Sequence, residues 1–248
     1  MIASLDDREA RRGGAGPGVP VVALWGAPGS GKSGIAGALH VESGRSAGAR
    51  WTVLSVGLDA DACAYVDSAS LALRRRGVRE TTIRRPAAPV LLPLSRRDGA
   101  RTLDRLQLLV VDPSGSNRSP DEPRSAHERA LCADAMLWLI DMPAAGSLTS
   151  ASRMALLREV VGFLTAAKAA QLPIPVALCL TKLDRLPASE MHRALAHPAE
   201  ALRAVLGDAA LGWLEAACPR LGYFALTAAG TVRNAVRPVG LVPALDWF

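Results

Sequence analysis

The chain has 248 residues, of which 50% are hydrophobic and 21% are charged, a balance that excludes wholesale disorder and favours one large α/β domain. No apolar run approaches the roughly 18 residues of a membrane span, and the charged beginning of the chain lacks the apolar core of a secretory signal, so we expect a cytoplasmic protein. The net charge is +6, but almost all basic residues are Arg beside abundant Ala, which indicates codon bias rather than a nucleic-acid partner.

The order of apolar and amphipathic segments predicts the architecture. Residues 1–18 are charged and then rich in Gly and Pro, which predicts a flexible tail before a single domain over 19–248. From Pro20 onward, short apolar strands alternate with helices, as in a mostly parallel sheet with helices on both faces. Strands are predicted at 21–25, 51–56, 89–94, 106–111, 136–141, 175–180 and 223–226. Helices are predicted at 32–41, 61–76, 120–133 and 149–171 and, in pieces, at 189–218.

The first strand runs into a phosphate-binding motif, G-x-x-x-x-G-K-S, that opens the first helix. Glycines in such a loop let backbone N–H groups surround a phosphate, and the helix adds its positive N-terminal dipole. Lys32 is expected to reach the β- and γ-phosphates and Ser33 to bind Mg²⁺. The candidate nucleotide-binding residues of this loop are Gly26, Pro28, Gly29, Ser30, Gly31, Lys32, Ser33 and Gly34.

A second motif, Asp112-Pro113-Ser114-Gly115, follows a buried strand that is expected to lie beside the first one. Because ligands of open α/β sheets bind beyond the carboxyl ends of the strands, Asp112 is placed to hold Mg²⁺ directly or through water. Gly115 is expected to offer its backbone N–H to the γ-phosphate. An ordinary Asp-Pro turn at the end of a strand is the alternative.

The phosphate loop does not indicate which nucleotide base is bound, since its sequence occurs in both ATP- and GTP-binding proteins. The choice comes from Thr181-Lys182-Leu183-Asp184, which follows the predicted strand 175–180. With this motif the chain resembles a Ras-like P-loop GTPase of the translation-factor-related class, whose guanine motif is Asn/Thr-Lys-x-Asp after a strand. The resemblance implies that Asp184 accepts two hydrogen bonds from guanine, a pattern that adenine does not offer. It also implies that Lys182 lies along the base and ties the motif to the phosphate loop, and that the fold is a three-layer one with a single antiparallel edge strand.

The same resemblance implies roles for residues between and after these motifs. Thr227-Ala228, after the last predicted strand, takes the place of a Ser-Ala pair whose backbone contacts the guanine oxygen. A switch Thr that binds Mg²⁺ only beside a γ-phosphate is expected at Thr81 or Thr82, and we favour Thr82. Arg79 stands three residues earlier, as does the in-cis arginine finger of heterotrimeric G-protein α subunits, and could neutralise charge in phosphoryl transfer. A solvated Arg is the alternative reading.

Two features depart from the simplest members of the class. Ser116 stands directly after Gly115, where many members place a Gln that orients the attacking water, so we expect slow hydrolysis without a partner. A strand and helix near 51–76 are inserted before the switch. This insertion and the closing segment 237–248 are similar to bacterial double-GTPase proteins of conflict or signalling systems.

Positive charge is concentrated around the predicted switch. Residues 74–101 hold nine Arg against Glu80 and Asp98. Ras-like proteins meet their effectors in this region, so a protein effector or regulator is expected here. An acidic protein, a membrane surface or nucleic acid could each use such charge, and a solvated Arg-rich face is the alternative.

Three functions compete at this point. The leading one is a Mg²⁺-dependent GTPase that acts as a molecular switch, ordered by GTP and released by hydrolysis. The second is an ATP-using P-loop enzyme such as a small-molecule kinase, which the motif at 181–184 disfavours. The third is a module that holds GTP without hydrolysing it and assembles with partners, and Ser116 keeps this one open.

Overall fold

The computed structural model describes residues 18–27, 29–45, 50–54, 58–74, 90–98, 101–111, 133–142, 174–232 and 235–248, with isolated positions at 130 and between 154 and 165. The strands and helices are β1 (Val21–Gly26), α1 (Lys32–Arg45), β2 (Trp51–Val53), α2 (Ala60–Arg74), β3 (Val90–Asp98), β4 (Arg101–Val110), β5 (Ala135–Asp141), β6 (Val176–Thr181), α3 (Ala188–Ala196), α4 (Pro198–Leu206), α5 (Asp208–Ala217), β7 (Leu221–Ala225), β8 (Thr227–Val232), β9 (Ala235–Val239) and α6 (Leu241–Asp246). The predicted tail at 1–18 and the helix at 120–133 fall almost wholly outside these residues. The isolated positions between 154 and 165 are helical, as predicted for 149–171.

Seven strands form one sheet in the order β2-β3-β4-β1-β5-β6-β7. The five strands from β4 to β7 pair in parallel, and β4 lies beside β1 as predicted. The three-layer α/β P-loop fold is therefore confirmed. The position of the antiparallel strand needs a correction, because β3 is not at the edge. β2 pairs antiparallel with the outer side of β3, with Trp51 opposite Arg96, so the antiparallel strand β3 lies second from the edge and β2 forms the edge.

The sheet separates two hydrophobic cores, one on each face. Side chains alternate along a strand, so Val21, Ala23 and Trp25 join one core while Val22 and Leu24 join the other. Helices α3, α4 and α5 cover the first core, and α1, α2 and α6 cover the second. In the described part of the chain, no helix has both the length and the apolar character needed to cross a membrane.

The hairpin of β3 and β4 is longer than the sequence predicts. The apolar pattern marks only 89–94 and 106–111, whereas pairing continues through Arg97 and Thr102 to Asp98 and Arg101. Most of these extra residues are exposed, so charged side chains are tolerated where backbone pairing alone continues the strands. The Arg-rich stretch therefore ends in a charged hairpin.

The C-terminal helix α6 ties the sheet together through Asp246, a feature that sequence reasoning did not assign. Asp246 accepts a hydrogen bond from Trp51 Nε1 at 3.0 Å and pairs with Arg50 Nε at 3.1 Å and Arg96 Nη1 at 3.7 Å. The next residue, Trp247, packs edge-on against Phe224 of β7. The end of the chain thus contacts both β2 and β7, the two outer strands.

Asp246→Asn should lower the free energy of unfolding by about 1 kcal/mol, because it removes the charge that two arginines share at a site 20% exposed. The matched control is Asp208→Asn, whose carboxylate also pairs with an arginine at 3.1 Å but is 88% exposed. Its effect should be close to zero. Urea unfolding of the two variants measures the difference, and equal losses would contradict the role given to Asp246.

Candidate nucleotide site

The predicted motifs meet at the carboxyl edge of the parallel strands. β5 and β6 end side by side, with Asp141 paired with Thr181. Leu226, which precedes Thr227, donates its backbone N–H to Leu180 at 2.8 Å. Val111, the residue before Asp112, donates to the carbonyl of Leu24 in β1 at 3.3 Å. The described motifs are therefore carried to one edge of the sheet, and Val111, the described residue before Asp112, lies at the same edge.

The loop between β1 and α1 depends on glycine. Gly29 and Gly31 have φ of 81° and 103°, values that residues with a Cβ rarely adopt. A Cβ on Gly26 would lie 2.6 Å from the carbonyl oxygen of Leu139, so β1 and β5 can approach only with glycine there. Lys32 is 4% exposed and its Nζ donates to the carbonyls of Gly26 at 2.7 Å and Ala27 at 2.9 Å. The ammonium group is thus held inside its own loop.

The next residue, Ser33, carries the hydroxyl expected to bind a metal. Its Oγ accepts a hydrogen bond of 2.9 Å from the hydroxyl of Tyr65. Tyr65 belongs to α2, the helix within the insertion predicted near 51–76, and was not predicted as a site residue. A Tyr on an amphipathic helix usually marks a core position, and nothing in its sequence context indicates which group its hydroxyl contacts.

The motif at 181–184 is fastened to the phosphate loop. Thr181 Oγ1 lies 2.7 Å from the carbonyl oxygen of Ser30 and 3.1 Å from that of Ile140. Lys182 has φ of 59°, the left-handed region that a non-glycine residue occupies at a cost and that clusters at functional sites. Its Nζ pairs with Asp141 Oδ2 at 2.9 Å and lies 4.0 Å from the point where a Cβ on Gly29 would be.

Asp141 is a second residue that sequence reasoning missed. It closes an apolar strand in the same way as Asp112 does, and that resemblance was the available signal. Its carboxylate pairs with Lys182 and, at 3.8 Å, with Arg185 Nη1. Asp141 therefore orients the lysine of the motif at 181–184 from the neighbouring strand.

The segment after β7 reaches the motif at 181–184 through Thr227. Thr227 Oγ1 donates to Asp184 Oδ1 at 2.5 Å, and the backbone N–H of Ala229 donates to Thr227 Oγ1 at 3.3 Å. A Cβ on Gly34 in α1 would come within 3.3 Å of the Ala228 Cβ. The structure thus brings together Gly26, Gly29, Ser30, Gly31, Lys32, Ser33, Gly34, Thr181, Lys182, Asp184, Thr227 and Ala228.

The other predicted site residues lie outside the described part of the chain. These are Pro28 of the phosphate loop, Arg79, Thr81 and Thr82 of the expected switch, and Asp112 and Gly115 of the second motif. Their roles stay predictions.

The sheet order and the loop geometry define a P-loop nucleotide-binding fold. No protein-family model matches the chain, and no curated protein sequence matches it either. Similar solved structures include a GTP-binding protein from the archaeon Sulfolobus solfataricus in complex with GDP, at 11% identity and a TM-score of 0.38 over 84% of this chain and 47% of that one. The SRβ-GTP/SRX complex of the signal recognition particle receptor from Chaetomium thermophilum is similar at 15% identity and a TM-score of 0.42, over 88% of this chain and 94% of that one. The chain spans about half the length of the archaeal GTP-binding protein and of further similar structures.

Proposed function

We propose that this protein binds GTP and GDP, hydrolyses GTP with Mg²⁺, and uses the nucleotide state as a molecular switch. The observation that carries the proposal is the hydrogen bond from Thr181 Oγ1 to the carbonyl of Ser30, at 2.7 Å. It fixes the residue that opens the guanine motif to the loop that binds phosphate. A base pocket and a phosphate pocket fixed in this way suit one nucleotide that spans both.

Base selection is assigned to Asp184. Guanine presents two donors on one edge, its ring N–H and its exocyclic amine, whereas adenine presents an acceptor at the corresponding ring nitrogen. A carboxylate accepts from both guanine donors and would face that adenine acceptor with no proton to offer. The Thr227 hydroxyl, which donates to Asp184 Oδ1, supports the proposal because it fixes the carboxylate while leaving it acceptor capacity for the base.

Phosphate and metal binding are assigned to the loop and the start of α1. Lys32 would exchange its two carbonyl partners for phosphate oxygens, a stronger charge-assisted interaction. Mg²⁺ takes oxygen ligands and usually keeps several waters, with few ligands from the protein and the rest from phosphates. The Ser33 hydroxyl fits such a site, and Asp112 and Thr82 are the predicted additional ligands. Bound there, Mg²⁺ would neutralise charge on the β- and γ-phosphates.

Hydrolysis is assigned to the same set with the predicted switch. Gly115 would bind the γ-phosphate through its backbone N–H, and Arg79 would stabilise charge that develops in the transition state. Since Ser116 replaces the usual water-orienting Gln, the rate without a partner should be slow. The Arg-rich stretch 74–101 contains Arg79 and Thr82 in the sequence, and we assign it to a protein effector or regulator that reads the nucleotide state.

Phosphate release from GTP and ATP, under single-turnover conditions with and without Mg²⁺, tests this function. The expected result is slow, Mg²⁺-dependent release from GTP and none from ATP. Lys32→Ala should reduce release at least about 100-fold, since it removes a charged phosphate contact, and Lys168→Ala, outside every motif, should leave it unchanged. Tight GTP binding without release would favour the non-hydrolysing module. Preferential release from ATP would overturn the proposal in favour of an ATP-using enzyme.

A further inference from the structure

The inserted helix α2 packs unusually close to α1, the helix that follows the phosphate loop. A Cβ built on Gly37 of α1 would lie 2.7 Å from the backbone carbonyl carbon of Ala69 and 2.9 Å from its oxygen. Ser70 Oγ of α2 lies 3.3 Å from the Gly37 carbonyl oxygen. Backbone therefore meets backbone at this crossing, and only glycine permits the approach.

The same approach brings Tyr65 to Ser33. These two residues stand four positions before Ala69 and Gly37, so the pairs are one turn apart along two helices that run in the same direction. Tyr65 is 2% exposed, and its hydroxyl donates to Ser33 Oγ at 2.9 Å. A buried tyrosine hydroxyl needs a polar partner, and here one such partner is the side chain expected to bind Mg²⁺.

We propose that Tyr65 is a positioning residue that orients the Ser33 hydroxyl for Mg²⁺. The inference rests on the proposed nucleotide function and extends it to the inserted helix. A serine side chain alternates between three rotamers, and its oxygen has two lone pairs. The hydrogen bond from Tyr65 uses one lone pair and selects a rotamer, so the second lone pair is held in a fixed direction for the metal. The insertion thus contributes to metal binding from outside the loop, from a helix that precedes the predicted switch.

The test is the Mg²⁺ concentration at which GDP binding is half-way between its Mg²⁺-free and its saturated affinity. Tyr65→Phe keeps the ring and removes the hydroxyl. It should raise this midpoint about five-fold, the usual worth of one hydrogen bond, and leave GDP affinity in EDTA unchanged. Tyr223→Phe is the matched control, because it is the second of the two tyrosines in the chain and its hydroxyl donates to Glu215 at 2.6 Å instead. Its midpoint should equal that of the unchanged protein.

A second variant separates positioning from general loosening of the fold. Ser33→Ala removes the oxygen that Tyr65 is proposed to orient, so adding Tyr65→Phe to it should have no further effect on the midpoint. An unchanged midpoint for Tyr65→Phe, an equal loss of GDP affinity in EDTA and in Mg²⁺, or GDP binding that ignores Mg²⁺ would each overturn the inference. If the unchanged protein fails to bind GDP in either condition, the proposed function itself fails, and the inference with it.

Discussion

Asp184→Asn should lower the affinity for GDP at least about 100-fold, because the amide supplies one acceptor where the carboxylate supplies two charged ones. The loss of affinity should come from binding of the base alone. Lys32 and Ser33 are unchanged by the substitution, so binding of inorganic pyrophosphate with Mg²⁺ should stay as it was. Calorimetric titration of each ligand measures both effects.

The same variant should gain affinity for xanthosine diphosphate. Xanthine carries a carbonyl where guanine carries its exocyclic amine, and the introduced side-chain amide can donate to that carbonyl while its oxygen still accepts from the ring N–H. Asp208→Asn is the control, since this aspartate lies at the start of α5 and is 88% exposed; it should keep the GDP preference. An Asp184→Asn protein that binds GDP as before would contradict the assignment of Asp184 to the base.

Gly37→Ala should lower the free energy of unfolding by about 2 kcal/mol, the usual cost of forcing an extra methyl group into a packed contact. The added Cβ would meet the Ala69 backbone at 2.7 Å, so α2 must move away from α1. Gly44→Ala lies on the same helix, and a Cβ there meets nothing within 4 Å. This control should raise stability by about 0.5 kcal/mol through helix propensity. The two substitutions are identical in chemistry and are expected to have opposite signs in urea unfolding.

Movement of α2 should also be seen in metal binding. If Gly37→Ala shifts Tyr65 away from Ser33, its Mg²⁺ midpoint for GDP should rise as it does for Tyr65→Phe, while Gly44→Ala keeps the original midpoint. A Gly37→Ala protein as stable as the unchanged one would contradict the close packing of the two helices.

The fold could be predicted because its elements follow from local patterns. Continuous apolar runs such as Val176–Thr181 are buried on both faces of a parallel sheet, so the sequence of each strand by itself is enough to predict its place in the core. The phosphate loop is equally local, since Gly29 and Gly31 need positive φ within a few residues of Lys32. For the same reason the local motifs contain all twelve of the predicted site residues that the structure brings together.

The remaining features depend on contacts between distant residues. Tyr65 meets Ser33 only because Gly37 admits α2, and Asp246 meets Trp51 across most of the chain length. Local patterns in a single sequence do not show which distant residues contact each other. The hairpin of β8 and β9 and the outer pairing of β2 were missed for a related reason, because short strands are decided by the partner that they find.

Competition between GDP and ADP for the unchanged protein, with a fluorescent guanine nucleotide and saturating Mg²⁺, tests the central claim most directly. We expect GDP to displace the probe at least about 100-fold more effectively than ADP, because the Asp184 carboxylate would face an acceptor nitrogen of adenine where guanine offers donors. Equal displacement by the two, or preferential displacement by ADP, would contradict the assignment of Thr181, Lys182 and Asp184 to guanine and would move the protein to the ATP-using P-loop enzymes.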